Sequence, residues 1–81
     1  MEFTRHARRR MRLYEISQEE VEEAVSKPDK IDIESNRKVV YKIFAQRFKG
    51  MPLKVVYVKE EGDVVILSAY PLKKSYWREV P

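Results

Sequence analysis

The chain has a single histidine, and it lies in the most basic stretch of the sequence. Phe3-Thr4-Arg5-His6-Ala7-Arg8-Arg9-Arg10-Met11-Arg12 holds five of the eight arginines together with His6. An imidazole beside fixed positive charge suits proton transfer at a phosphate near neutral pH. Metal-free RNA cleavage asks for little more, because the ribose 2′-hydroxyl is the nucleophile. The protein must take the proton from that hydroxyl, return one to the leaving oxygen and stabilise charge on the phosphoryl group. His6 is the candidate acid or base. Arg10 and Arg47 are candidates for holding phosphate, arginine offering two parallel hydrogen bonds, and Lys73 and Lys74 add positive charge. Tyr70 could donate a proton or stack on a base, and Trp77 could stack. Ser68, on the same strand as Tyr70, completes the candidates.

Each of these residues also has an ordinary structural reading. A histidine beside an apolar stripe can be half-buried and hydrogen-bonded. Arg47 can reach past a strand end and pair with an acid. Tyr70 and Trp77 can be packing, since a small domain needs large aromatics. Ser68, between Ile66 and Tyr70, can satisfy a neighbouring backbone group. Other chemistries lack their residues altogether. With no cysteine, disulfides and thiolate chemistry are excluded. One histidine and no cysteine leave no convincing transition-metal site, so no metal is expected. The two glycines both fall in turns, which leaves no phosphate loop, and no serine sits in a nucleophile elbow. No cofactor is expected.

The elements that must position the candidates follow from periodicity. At about 100° per residue, helical spacing puts Phe3, Ala7, Met11 and Tyr14 on one apolar stripe, and the helix itself is expected over 4–14. Arg5, Arg8, Arg9 and Arg12 then face the opposite way, and His6 and Arg10 stand at the seam. Thr4 is the expected cap. Ser17-Gln18-Glu19-Glu20 is a capping box for a second helix over 18–27, with Ile16 and Val21 as its hydrophobic staple. Pro28 stops it. The glutamates of this helix read as caps and solvated charge at its positive end, not as a metal site.

From Lys30 the period shortens to two. Strands are expected over 30–34, 38–48, 53–59 and 64–70, with turns at Ser35-Asn36, at Lys49-Gly50-Met51-Pro52 and at Glu60-Glu61-Gly62-Asp63. A short tail, 71–81, follows. The expected fold is therefore α+β: two N-terminal helices packed on one face of a four-stranded antiparallel sheet, in two layers.

Composition bounds the rest. Residues 1–81 are read as one domain, small enough to bury only about 60–65% of its unfolded surface. The net charge is +4 and the pI near 9.4. Arginines clustered on one helix face are an electrostatic footprint for polyanions, or else a solvated face on a basic protein. The longest apolar run, Val64 to Ala69, is far short of the roughly 18 residues that span a bilayer, so no membrane partner is expected. Arginines follow Phe3 where a leader's apolar core would begin. A cytoplasmic protein is the expectation.

The opening Thr4-Arg5-His6-Ala7-Arg8-Arg9-Arg10-Met11 resembles the T-x-H-A-x-x-R-M start of a small bacterial and archaeal domain family. Ile16-Ser17-Gln18-Glu19-Glu20-Val21, Lys27-Pro28-Asp29 and Ser68-Ala69-Tyr70-Pro71 match its later motifs, serine standing for threonine in the last. That family is similar to RelE- and BrnT-like toxins and to barnase- and colicin-like ribonucleases. The resemblance implies a RelE-like two-layer fold, possible RNA cleavage without metal, site roles for His6, Arg47 and Ser68, and an antitoxin protein as partner. Two readings from the arginine face stand beside it. One is a non-catalytic nucleic-acid or ribosome-binding module using Arg5, Arg8, Arg9 and Arg12. The other is a protein-interaction domain for an acidic partner.

Overall fold

Thr4 and Ser17 start the two helices, as their side chains predict. Residues 1–73 are described by the computed structural model. In α1 (Arg5–Leu13) the Thr4 hydroxyl accepts from the Ala7 N–H at 3.1 Å. In α2 (Gln18–Ser26) the capping box is complete: Glu20 N–H donates to Ser17 Oγ at 3.1 Å and Ser17 N–H donates to Glu20 Oε1 at 2.9 Å. Both staple residues, Ile16 and Val21, are buried. Among the described residues, no helix is long and apolar enough to cross a membrane.

The strands are β1 (Glu2–Phe3), β2 (Lys30–Glu34), β3 (Arg37–Lys42), β4 (Leu53–Glu60) and β5 (Asp63–Pro71), in the order β1-β5-β4-β3-β2. The fold is α+β, and β2 to β5 form the expected antiparallel meander. The sheet nevertheless has five strands and is mixed, because β1 pairs parallel to β5 through Glu2↔Val65 and Phe3↔Ile66. Two residues are too few to show alternation, and Phe3 matches the helical stripe by spacing. It still packs on the core, from a strand instead of a helix.

Register explains the core. Val40, Val55 and Ala69 lie across from one another on β3, β4 and β5, as do Tyr57 and Ile66. These residues, with Leu53, are buried together with Ala7 of α1 and Val21 and Ala24 of α2, so both helices cover the same sheet face. Ala7 is fully buried, and its small side chain lets α1 lie close on β5.

The strand expected over 38–48 ends at Lys42. Ile43, Phe44 and Ala45 continue its apolar pattern, but β2 and β4 offer them no partners, since Lys30 pairs with Tyr41 and Leu53 with Lys42. The Ile43 N–H instead donates to Asp29 Oδ2 at 2.8 Å. Beyond it, Gln46, Phe48 and Lys49 all have positive φ (60°, 53° and 55°), a region that side chains occupy at a cost. The Arg47 guanidinium clamps this strained loop. Its Nε and Nη2 donate to both oxygens of Glu20 at 2.8 and 3.0 Å, and Nη2 donates to the Glu15 carbonyl at 2.7 Å. It also stacks over Phe48, 4.4 Å from the ring centroid.

Hydrogen bonds from Arg47, opposed by burial and aided by Ser17 and the Arg47 charge, lower the Glu20 carboxyl below its ordinary value. Because the folded value is depressed, the stabilisation is complete above the ordinary value of about 4.3 and is lost as pH falls through the lowered one. Glu20→Gln should therefore flatten the acid limb of the stability profile. Urea midpoints at about pH 7 and about pH 3 should differ less for the variant than for the parent. Equal differences would mean that the pair contributes nothing to acid sensitivity.

The β4–β5 hairpin turns at Glu61 and Gly62, both with positive φ (52° and 82°), the type I′ pattern. Asparagine tolerates the first position better than glutamate. Glu61→Asn should stabilise the protein by about 0.5–1 kcal/mol and raise Tm by about 2–8 °C in a thermal melt.

Candidate functional site

A bulge in β5 positions the basic helix. Val56 pairs with Ser68 and Tyr57 with Ile66, so Leu67 is the extra residue without a partner across the strand pair. Thr4 uses what this leaves. Its N–H donates to the Ile66 carbonyl at 3.0 Å and its hydroxyl donates to the Leu67 carbonyl at 3.1 Å. The same hydroxyl caps α1, so the start of the helix is fixed beside the bulge.

From there α1 runs along β5. β1 reaches only Val65 and Ile66, which leaves β5 from Leu67 onward as a free edge among the described residues. The half-buried Arg10 reaches that edge, its guanidinium carbon 5.4 Å from the Tyr70 ring centroid. The Lys54 ammonium lies over the same ring at 5.6 Å. Lys54 faces Tyr70 across β4–β5 and Tyr41 across β3–β4, on the sheet face away from the helices. Lys30 extends the row, 5.5 Å over the Tyr41 ring. Cations and aromatic rings therefore alternate across four strands and meet Arg10 at one end.

The electrostatics of the row are mutual. Burial would lower the Lys54 ammonium, but its hydrogen bond to Tyr70, with Tyr70, Tyr41 and Glu34 nearby, raises it above the ordinary lysine value. Burial raises the Tyr41 hydroxyl, and Asp32, Glu34 and Tyr70 add to the rise while Lys54 opposes it. A phosphate brought to this edge would meet two ammonium or guanidinium groups and a phenol, all able to donate hydrogen bonds.

The sequence candidates divide into two groups. His6 stands one helical turn before Arg10, about 6 Å along the axis, at the same edge of the sheet. It is exposed, its side chain without a hydrogen-bond partner among the described residues, rather than half-buried at a seam. Ser68 shares the outer sheet face with Tyr70 and is half-buried opposite Val56. His6, Arg10, Ser68 and Tyr70 thus share one margin of the molecule. Arg5, Arg8, Arg9 and Arg12 are exposed, as the stripe predicts, and Arg8 Nε donates to the Phe3 carbonyl at 3.3 Å.

Arg47 is not brought to this margin. It sits in the loop after β3, bonded to Glu20 and to Glu15 just past the far end of α1, with its Glu20 hydrogen bond holding the guanidinium above the ordinary arginine value. Lys73 is exposed at that far end too. There it lines a cavity of about 530 Å³ with Tyr14, Phe48, Lys49, Pro71 and Leu72 among its walls. Lys74 and Trp77 lie outside the described residues. The sequence reading missed Lys54, Tyr41 and Lys30, whose assembly depends on strand register. Each strand gives the row one residue, Lys30, Tyr41, Lys54 or Tyr70, which no local pattern marks.

No curated protein and no solved structure matches the chain. A family model described as a domain of unknown function (DUF4258) matches residues 3–71. The match begins with Phe3 of β1 and ends with Pro71 of β5, and it includes His6, Arg10, Ser68 and Tyr70. The chain is therefore a member of the DUF4258 family.

Proposed function

We propose that this protein is a small, basic, RNA-directed ribonuclease of toxin type that cleaves without a metal ion, built on a RelE-like α+β layer pair. One observation supports the reading above the others: Arg10 and Lys54 flank Tyr70 at the sheet edge along which His6 is displayed. In the proposed step His6 takes the proton of the ribose 2′-hydroxyl. The 2′-oxygen forms a bond to phosphorus as the bond from phosphorus to the 5′-oxygen breaks. Arg10 and Lys54 hold the phosphoryl oxygens as charge develops on them. Tyr70 gives a proton to the departing 5′-oxygen, and Ser68 donates a hydrogen bond beside it. Arg47 stands apart from this site, holding the loop after β3 through Glu20. Arg5, Arg8, Arg9 and Arg12, with Lys73 and Lys74, guide the RNA backbone. An antitoxin protein with an acidic surface would cover the same margin, and the cytoplasm would supply the RNA.

A second reading is favoured by a separate observation. Among the described residues, none of the α1 arginines forms an ion pair. A face so free of acids suits a nucleic-acid-binding module that does no chemistry.

Cleavage of a mixed RNA pool in EDTA by the protein and its His6→Ala and Tyr70→Phe variants separates the two. The ribonuclease reading expects His6→Ala to lose about a hundred-fold or more in rate while RNA affinity is kept. Equal cleavage by parent and variant would remove His6 from the mechanism. No cleavage by any of them, with binding that weakens at a slope of about −0.7 per phosphate against log salt, would establish the binding module instead.

A further inference from the structure

Among the described residues, β2 is the open edge of the sheet, paired with β3 on one side only. Its flank is also bare. α1 packs on β5 and α2 on β3 and β4. Ile31 and Ile33, which share the helix-covered face by register, are left 54% and 72% exposed. Edge strands normally avoid such apolar display through proline, bulges or inward charge. None of these interrupts Lys30-Ile31-Asp32-Ile33-Glu34.

The same five residues are nearly their own complement. Run antiparallel about Asp32, a second copy brings Lys30 opposite Glu34 twice and Ile31 opposite Ile33 twice. The charged pairs fall on one sheet face and the isoleucines on the other, between the two α2 layers. Only Asp32 meets its like, at the symmetry axis. Lys30 softens that contact, its Nζ 3.9 Å from Asp32 Oδ2 within each chain. We propose that β2 is the interface of a two-fold symmetric dimer of this chain, joining two sheets edge to edge. Such an interface is isologous, so each contact counts twice. A strand of this length spans only about 17 Å, which makes the dimer reversible and dependent on concentration. The inference does not rest on RNA cleavage.

Sedimentation velocity over a concentration series of the full chain tests it. The parent should associate reversibly, and Ile33→Lys should be monomeric at the same concentrations. Lys30→Glu and Glu34→Lys should each weaken association about ten-fold or more, since each sets two like-charged pairs across the axis. An equimolar mixture of those two variants should associate again, because one chain then carries only acids at both positions and the other only bases. Asp32→Asn should tighten the dimer by removing the repulsion at the axis. These side chains are solvent-facing, and circular dichroism should confirm that every variant keeps the parental fold. A parent that stays monomeric up to about 1 mM would overturn the proposal. So would a dimer indifferent to Ile33→Lys and Lys30→Glu, or a mixture that does not recover.

Discussion

The candidate site depends on how one threonine ties α1 to β5. Thr4 donates twice to the β5 backbone and accepts twice from its own helix, through its hydroxyl from Ala7 and its carbonyl from Arg8, so one residue sets both where α1 begins and where it lies. The bulge at Leu67 makes this geometry available, by turning a carbonyl out of the ladder that a regular strand would have consumed. Ala7 then allows the close approach. Everything displayed along that margin, His6 and Arg10 above all, inherits its position from this join. A different helix start would rotate the arginines against the sheet edge by about 100° per residue.

Charge is sorted rather than neutralised. The Glu20 carboxylate is taken by Arg47, and Asp29 accepts from Ile43 while lying 4.0 Å from Lys42. The remaining glutamates of α2, Glu19, Glu22 and Glu23, face solvent. α1 keeps its positive face undiminished while α2 keeps a negative one. A net charge of +4 conceals this division, which governs the long-range field a polyanion would meet.

Features decided within a few residues were legible in the sequence. Thr4 and the box of Ser17 and Glu20 cap as read, because capping is a local hydrogen-bond problem. β2 spans Lys30–Glu34, where apolar and charged residues alternate, and the arginine stripe faces outward as its spacing implies. Features decided by distant partners were not legible. Phe3 fits a helical stripe equally well from a parallel strand whose partner lies at Ile66. Ile43 to Ala45 continue an apolar run, yet no neighbouring strand extends far enough to pair with them. Lys54 stands beside Tyr70 through register alone. Arg47 carried both a phosphate reading and an ion-pair reading, and the geometry realises the ion pair with Glu20.

The pairing of Phe3 with Ile66 has a consequence for how the molecule comes into being. The meander from β2 to β5 joins neighbours in the chain and can zip up hairpin by hairpin. β1 and α1 instead bind to the element made last among the described strands, so their contacts close the longest loops in the protein. Such closures come late and slow the search for the native state. During synthesis the arginine-rich opening must wait, unassembled, until β5 has been made. The margin that displays His6 is thus among the last parts of the molecule to exist.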